Sequence, residues 1–396
     1  MEVNLLRYMK FLRDFNFKDK KVLIRVDFNV PLGDDLKVDN SEDWRIEATL
    51  PSIKYLLDQG AKIILLAHLG RPNGKIVEGL RLDPVAKRLG ELLGRKVIKL
   101  DDCCSQKVKD RVSQIKVGEI ILLENLRFYP EEKNNDRQFA KQLASYGEIY
   151  VNDAFGVDHR AHASLVGIPK YLPSCAGLLL EKEITALTKV LDKPERPLVV
   201  IIGGVKISTK IKVIKKFLKK ADNVLLGGAL ANTVLAAKGI AIGQSVVEEG
   251  MIEEVKKLEL TDIKLHLPVD AITSTDPLGK SDIRIAPIGN TNKEEMILDI
   301  GPDTNNLFRQ IISQSKAIIW NGPMGLIEVD KFVEGTKKIA QVIANNDSYS
   351  VIGGGDSIAL IEEMGLFDKM SHVSTGGGAM LKFLAGDKLP GIEALG

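Results

Sequence analysis

The chain has only three cysteines, Cys103, Cys104 and Cys175. Two are adjacent and poorly placed to pair with each other, so no disulfide framework is expected. No apolar run approaches the ~18 residues that a membrane helix needs. There is no charge excess: 55 Lys and Arg stand against 53 Asp and Glu, and nothing in that balance points to a nucleic-acid or membrane partner. Low-complexity linkers are missing. The opening fifteen residues carry Glu2, Arg7, Lys10, Arg13 and Asp14, which does not read as a secretory signal. The expectation is a soluble, cytoplasmic protein. Its 44% hydrophobic and 27% charged residues are those of a globular chain, and at ~150 residues per domain its length predicts two or three domains.

Two residue types divide the chain unevenly. Thirteen of the 15 arginines lie in residues 1–200, with only Arg284 and Arg309 beyond; 23 of the 35 glycines lie after residue 200. Guanidinium forks suit carboxylates and phosphates. Clustered glycines suit turns whose backbone N–H groups must approach a ligand closely. The halves therefore read as specialised for different ligands.

Short Val/Ile/Leu runs alternate with helical patterns throughout. Strands are predicted at Lys21–Asp27, Lys62–Ala67, Glu119–Leu123, Glu148–Val151, Leu198–Ile202, Asn223–Leu226, Ile263–Leu267, Ala317–Trp320, Ser350–Ile352 and His372–Ser374. Helices are predicted at Arg45–Gln59, Pro84–Leu93, Ile207–Ala221 and Gly250–Leu260. Continuous apolar strands are the pattern of parallel sheets buried on both faces. The predicted fold class is α/β, with two lobes, each a doubly wound and mostly parallel sheet flanked by helices. Leu180, Ile184, Leu187 and Leu191 form one helical face that Pro194 and Pro197 then stop, so a linking helix and hinge is expected over 177–197. It would join an N-terminal domain at 1–176 to a C-terminal domain at 198–384, with a tail at 385–396.

Nearly every strand ends in polar or glycine-rich residues. The N-half gives Arg25-Val-Asp-Phe-Asn29, Ala67-His-Leu-Gly-Arg71, Leu123-Glu-Asn-Leu-Arg127 and Asn152-Asp-Ala-Phe-Gly156, which leads to His159-Arg160. The C-half gives Gly203-Gly-Val-Lys206, Gly227-Gly228, Asn321-Gly-Pro-Met-Gly325, Gly353-Gly-Gly-Asp-Ser357 and Gly376-Gly-Gly378. Ligands of open α/β sheets bind at the carboxyl ends of strands. The first set suits a compact anion; the second suits a nucleotide with its phosphates on helix N-termini.

Neither a Walker A sequence nor a Gly-x-Gly-x-x-Gly opening is present, so the two common nucleotide motifs are missing. His68 taken alone reads equally well as a core histidine; Arg71, three residues on, favours the anion site. His159 and His162 lack companions at metal-ligand spacing. In the lysine-rich segment after Gly204, Ile207, Ile211, Ile214 and Leu218 define the buried stripe. Lys206 and Lys210 fall together on the flank facing the phosphate site. Asp356 is open to two readings, a helix N-cap or a Mg²⁺ ligand acting with phosphate oxygens.

Taken in order, Arg25-Val-Asp-Phe-Asn-Val-Pro31, His68-Leu-Gly-Arg-Pro72, Leu122-Leu-Glu-Asn-Leu-Arg-Phe128, Asp153-Ala-Phe-Gly156, Trp320-Asn-Gly-Pro323, Gly353-Gly-Gly-Asp356 and Ser374-Thr-Gly-Gly-Gly378 resemble phosphoglycerate kinase over essentially the whole chain. The resemblance implies reversible glycolytic transfer of a phosphoryl group from 1,3-bisphosphoglycerate to ADP, giving 3-phosphoglycerate and MgATP. It implies direct in-line transfer after hinge closure, in a compact bacterial form expected to be a monomer. It puts Asp27, Phe28 and Asn29 on the glycerate, and His68, Leu69, Gly70, Arg71, Arg127 and Arg160 around the 3-phosphate. Arg45 and Lys206 would act on the transferring group, and Lys210 on the nucleotide phosphates. Gly228, Gly301, Asn321 and Glu328 would lie near the nucleotide, and Gly354, Gly355 and Ser357 on its phosphates. Asp356 would hold Mg²⁺, while Gly376, Gly377 and Gly378 would donate N–H groups in the transition state. The tail would pack back on the N-lobe.

Some positions depart from that pattern. The segment between Pro31 and Arg45 is longer than in typical relatives, with Asn40-Ser-Glu-Asp-Trp44 before the arginine. Val205 stands where Ala or Ser is more usual. Ala229 replaces a glycine and is expected to alter the fit around adenine. Asp158 replaces a small neutral residue and is expected to weaken anion affinity beside His159-Arg160. The chemistry explains the missing general base: a carboxylate acceptor with pKa near ~3.5 is already ionised at neutral pH. Two other classes predict features not seen. A nicotinamide-dependent dehydrogenase needs the Gly-x-Gly-x-x-Gly opening. A bilobal binding protein leaves Lys206, Lys210 and Asp356 without a task.

Overall fold

The computed structural model describes residues 9–33, 35–38 and 43–396. Glu2 and Arg7 of the charged opening, and residues 40–42 of the longer segment before Arg45, lie outside them. The chain divides into two units, one running to Thr185 and including Asp387–Gly396, the other Ala186–Gly386.

In the first unit six strands, β1 (Lys21–Val26), β2 (Lys62–Leu66), β3 (Val97–Lys99), β4 (Ile120–Leu122), β5 (Ile149–Asp153) and β6 (Ser174–Ala176), form one sheet in the order β3-β4-β2-β1-β5-β6. Every pairing is parallel. From β1 the chain adds β2, skips a place to β3 at the edge, fills the gap with β4, and then returns to add β5 on the other side of β1. The switch of direction falls between β1 and β5, where a parallel sheet opens a crevice at its carboxyl edge. Helices α1 (Trp44–Asp58) and α2 (Asp83–Leu93) cover one face. There Ile46, Ile53, Leu56, Val85 and Leu89 pack on Val22, Ile24, Ile63 and Leu65. Helices α3 (Gln106–Ser113) and α4 (Arg137–Ala144) follow. Helix α5 (Leu178–Asp192) runs through the chain division. Its start is held by the buried Asp153 carboxylate, which accepts from Leu179 N at 2.9 Å and Leu180 N at 3.2 Å. Leu180, Ile184, Leu187 and Leu191 are all buried.

The second unit has a six-stranded parallel sheet built from β7 (Leu198–Ile202), β8 (Asn223–Leu226), β9 (Leu265–His266), β13 (Ala317–Asn321), β14 (Tyr349–Gly353) and β15 (His372–Val373), in the order β15-β14-β13-β7-β8-β9. This is the doubly wound arrangement, with its switch between β7 and β13. Val199, Ile201, Ile318, Trp320 and Ile352 form the core with Phe308, Ile339 and Ile361. Those last three come from α8 (Pro302–Ser313), α9 (Glu334–Ala344) and α10 (Gly355–Glu363).

The structure corrects several sequence expectations. Strands β3 and β6 were missed because Val97–Lys99 is only partly buried and ends in a charge, and Ser174–Ala176 contains no Val, Ile or Leu. Three antiparallel strands, β10 (Asp270–Ser274), β11 (Arg284–Pro287) and β12 (Met296–Ile300), form a separate small sheet. Their exposed Ile285 and polar Thr273 and Ser274 hide the pattern. The strand expected over Ile263–Leu267 is only Leu265–His266, and Ile263 is 90% exposed. The helix expected over Gly250–Leu260 is a tight turn at Glu249–Met251 followed by one α-turn at Ile252–Val255. The helix expected over Ile207–Ala221 is broken, since a 3₁₀ turn at Ile207–Thr209 precedes an α-helix at Ile211–Lys220.

Candidate active site

The first unit gathers its polar residues at the carboxyl edge around β1. Arg25 stands between Ile24 and Val26 in a strand that is otherwise apolar after Lys21, and the residue is only 1% exposed. One of its nitrogens lies 3.1 Å from His68 Nδ1. Asp27 is buried just beyond the strand; its Oδ2 is 3.5 Å from Arg45 Nη1, while its Oδ1 has no hydrogen-bond partner. Arg45 stands near the start of α1, stacked by the Trp44 ring at 5.2 Å. Asn125 ties the loops together: its Oδ1 accepts from Leu69 N and Arg127 N, and its Nδ2 donates to the carbonyls of Leu69 and Leu80. Gly70 donates to Asn29 Oδ1 at 2.8 Å, and its carbonyl accepts from Arg127 Nη1 at 2.7 Å.

The cluster thus places Arg25, His68, Arg127, Arg160 and His162 in one field. Burial, then the charge of Arg25, lowers the Arg127 guanidinium to about 10 and the His162 ring to about 3. His68 is pushed well below its ordinary range by burial and by Arg25 and Arg127. Mutual depression of buried bases marks a site short of negative charge. The buried Nε atoms of Arg127 and Arg160 have no partner. Arg71 is exposed and Phe28 is buried under the cluster.

Asp158 lies within reach of the Arg25 charge. It is fully buried, accepts from Asn152 Nδ2 at 2.7 Å, and burial raises its carboxyl to about 7. Its backbone carbonyl accepts from Gly391 N at 2.9 Å, so it anchors the C-terminal segment within this unit.

In the second unit the glycines shape a phosphate-sized cradle. Gly227, Gly354 and Gly376 precede α7 (Gly228–Ala237), α10 and α11 (Gly377–Ala385), and no side chain caps these helices. In α7 the Gly228 and Leu230 N–H groups donate to the carbonyls of Met324 and Gly204, so it is the first N–H groups of α10 and α11 that are left for a ligand. Gly322 adopts φ +93°, and a Cβ there would stand 2.5 Å from Lys210 Nζ. Lys210 Nζ donates to the Gly203 carbonyl at 2.6 Å. Lys206, by contrast, is exposed ahead of the 3₁₀ turn, so the two lysines do not share one helical flank as expected. Asn321 is buried with its Nδ2 unpartnered, and so is Ser357 with its Oγ unpartnered.

Beside this cradle lies a cavity of about 220 Å³, lined by residues including Gly204, Gly228, Ala229, Pro323, Met324 and Leu326, with Glu328 and Asp356 at its rim. Ala229 is thus on its wall, as is the exposed Val205. Asp356 sits in the first turn of α10 behind Gly354, so Gly354 and not Asp356 is the N-cap. Among the described residues no three His, Cys, Asp or Glu gather to hold a metal. An exposed carboxylate at a phosphate cradle fits Mg²⁺, which keeps few protein ligands when phosphates supply the others. Gly301 does not line the cavity; it precedes α8, and a Cβ there would meet the Asp270 carboxylate at 2.3 Å.

Sequence reasoning missed Arg25, Asn125 and the wall formed by Pro268 and Ile297–Ile300. A charge inside a continuous apolar strand was the available signal for Arg25. The wall comes from the small antiparallel sheet and had none.

Comparison with known proteins agrees with this geometry. The phosphoglycerate kinase family model matches residues 12–387. The chain is 50% identical over 389 residues to the phosphoglycerate kinase of Dictyoglomus turgidum, covering 97% of each. It is 48% identical over 388 residues to that of Moorella thermoacetica, covering 97% of this chain and 98% of the relative. The phosphoglycerate kinase structure from Coxiella burnetii superposes with a TM-score of 0.85 at 37% identity, covering 98% of both chains. That from Pyrococcus horikoshii gives 0.86 at 35%, again covering 98% of both. The chain belongs to the phosphoglycerate kinase family and is an enzyme of that class.

Proposed function

We propose that this enzyme transfers a phosphoryl group reversibly between 1,3-bisphosphoglycerate and ADP, with the acid substrate on the first unit and the nucleotide on the second. The observation that carries the reading is the contrast between two strand edges: buried cations short of countercharge in one, uncapped helix N-termini around a buried ammonium in the other. In the first unit the unpartnered Asp27 Oδ1 accepts a hydrogen bond from the glycerate hydroxyl and Asn29 orients the carboxylate. His68, Arg127 and Arg160 bind the 3-phosphate, with Arg71 at the exposed margin. In the second, the apolar wall takes the base, Glu328 the ribose, and Asn321, Ser357 and the N–H groups of Gly354 and Gly355 the phosphates.

Asp356 would hold Mg²⁺, which when bound would neutralise charge on the nucleotide phosphates. The chain's own residues do the rest. Lys210 steadies the polyphosphate. Arg45 and Lys206 spread charge over the moving group, assisted by N–H groups of Gly376 to Gly378. One well-placed donor of this kind is commonly worth ~2.7–4 kcal/mol. The acceptor carboxylate is ionised, so positioning and electrostatics suffice without a base. In-line transfer follows closure about the ends of α5, which excludes water and suppresses ATP hydrolysis. The enzyme acts as a cytoplasmic monomer on small-molecule substrates.

The test is ADP formation from MgATP with and without 3-phosphoglycerate, coupled to reduction by glyceraldehyde-phosphate dehydrogenase. Turnover should require both 3-phosphoglycerate and Mg²⁺. Folded protein that hydrolyses ATP regardless of 3-phosphoglycerate, or does nothing, overturns the reading.

A further inference from the structure

Beneath the first unit's cation cluster lies a buried chain of polar groups that no step above uses. Glu132 is fully buried; its Oε2 accepts from Ser164 N at 2.9 Å and its Oε1 from Ser164 Oγ at 2.6 Å. Ser164 Oγ in turn accepts from Arg25 Nε at 2.9 Å. Arg25 Nη1 donates to the Val26 carbonyl, and Arg25 Nη2 lies 3.1 Å from His68 Nδ1. Tyr150 fixes the serine from behind, its hydroxyl donating to the Ser164 carbonyl at 2.7 Å. The residues come from β1, β5, the short helix Pro130–Lys133 and the π-helical segment Ala163–Gly167, so distant parts of the chain converge on one imidazole.

Burying a carboxylate and a guanidinium costs stability unless both are paired, and an apolar pair would fill the same space at less cost. A guanidinium has donors only, so the ring nitrogen facing it must be an acceptor. The imidazole proton is then confined to Nε2. The other charged or titratable groups facing His68 are Asp27, Arg127, Arg160 and His162. Asp27 Oδ1 is 3.7 Å from Nδ1, beyond hydrogen-bond reach, and the remaining three are bases that disfavour a second proton.

We propose that Glu132, Ser164 and Arg25 form a positioning relay that holds His68 as a neutral Nε2–H donor, so that His68 recognises the substrate anion by a directed hydrogen bond and not by charge. Its bearing on catalysis rests on the reading of this cluster as the 3-phosphoglycerate site. The Arg25 guanidinium is engaged by Ser164 Oγ, the Val26 carbonyl and His68 Nδ1, so it acts through the ring and not as a direct contact. The relay makes affinity for the acid substrate insensitive to His68 protonation across neutral pH, although the residue is one whose free pKa lies in that range.

The test is nitrogen-15 NMR of His68 in the unliganded enzyme, with steady-state kinetics of Glu132→Gln and Ser164→Ala. In the wild type, Nδ1 should have the shift of an unprotonated acceptor, with no titration between about pH 5.5 and 8. In either variant the tautomers should mix or the ring should titrate in that window. KM for 3-phosphoglycerate should rise about tenfold, the loss of one charge-assisted hydrogen bond, while kcat changes much less. Ser164→Ala carries the same readouts should Glu132→Gln fail to fold. An Nδ1–H tautomer in the wild type, or variants that leave tautomer and KM unmoved, overturns the relay. His68→Gln separates the two readings: an unchanged KM there rejects the assigned binding site while leaving the tautomer result standing.

Discussion

Lys210 Nζ donates to the carbonyl oxygen of Gly203 at 2.6 Å, with the Asn321 carbonyl at 3.4 Å, so its ammonium is buried on backbone dipoles at the end of the central strands. Burial lowers its pKa to about 8, against which the charge of Asp356 acts. The free protein therefore loses this positive charge as pH rises through about 8, and a bound polyphosphate holds the proton on. Affinity for ADP should fall above that pH, at most about tenfold per unit by linkage. Calorimetric titration at neutral and alkaline pH checks this, with Lys210→Arg expected to bind more weakly but without the alkaline loss. A flat wild-type profile rejects the assignment.

Arg45 and Lys206 reach solvent from positions that hold no core. Replacing either with Ala should lower kcat at least ~10²-fold, the worth of one transition-state donor, and leave thermal unfolding nearly unchanged. Near-normal turnover removes that residue from the mechanism.

Asp158 has a stability signature. Its carboxyl, raised to about 7 by burial, is protonated in the folded chain over a range where the unfolded chain is ionised. The folded state thus binds more protons between about pH 4 and 7, so this group's contribution to stability falls as pH rises through that window. Asp158→Asn keeps an acceptor for Asn152 and cannot ionise. The variant should gain melting temperature over the wild type at pH 8 relative to pH 5; a pH-independent difference contradicts the buried-acid account.

Two substrates held on separate units predict a shape change when both are present. Solution scattering should show a smaller radius of gyration with 3-phosphoglycerate and MgATP together than with either alone. An unchanged radius sinks closure as the route to transfer.

Legibility in the sequence followed the range of the forces involved. The central strands were visible because burial on both faces demands continuous Val, Ile and Leu, as in Leu198–Ile202. The first residues of a site were visible for a related reason: parallel strands deliver their exits to one edge, so Asp27, His68, Arg127, Gly203 and Asn321 announce themselves by following apolar runs. The small antiparallel sheet was not visible, because exposed Ile285 and buried Thr273 reverse the usual pattern.

By itself, the sequence determined the α/β class, the two parallel sheets, the split between an arginine half and a glycine half, and the family. Local periodicity and contiguous motifs suffice for those. Only the tertiary structure decided that Lys210 is buried while Lys206 is exposed, that Asp158 turns inward to the Gly391 segment, and that Gly301 packs on the Asp270 carboxylate next to the cavity wall. It alone joined Glu132 and Ser164 to Arg25 and His68. Each of these depends on side chains far apart in the chain meeting where water is excluded, and no local pattern records which partner will be there.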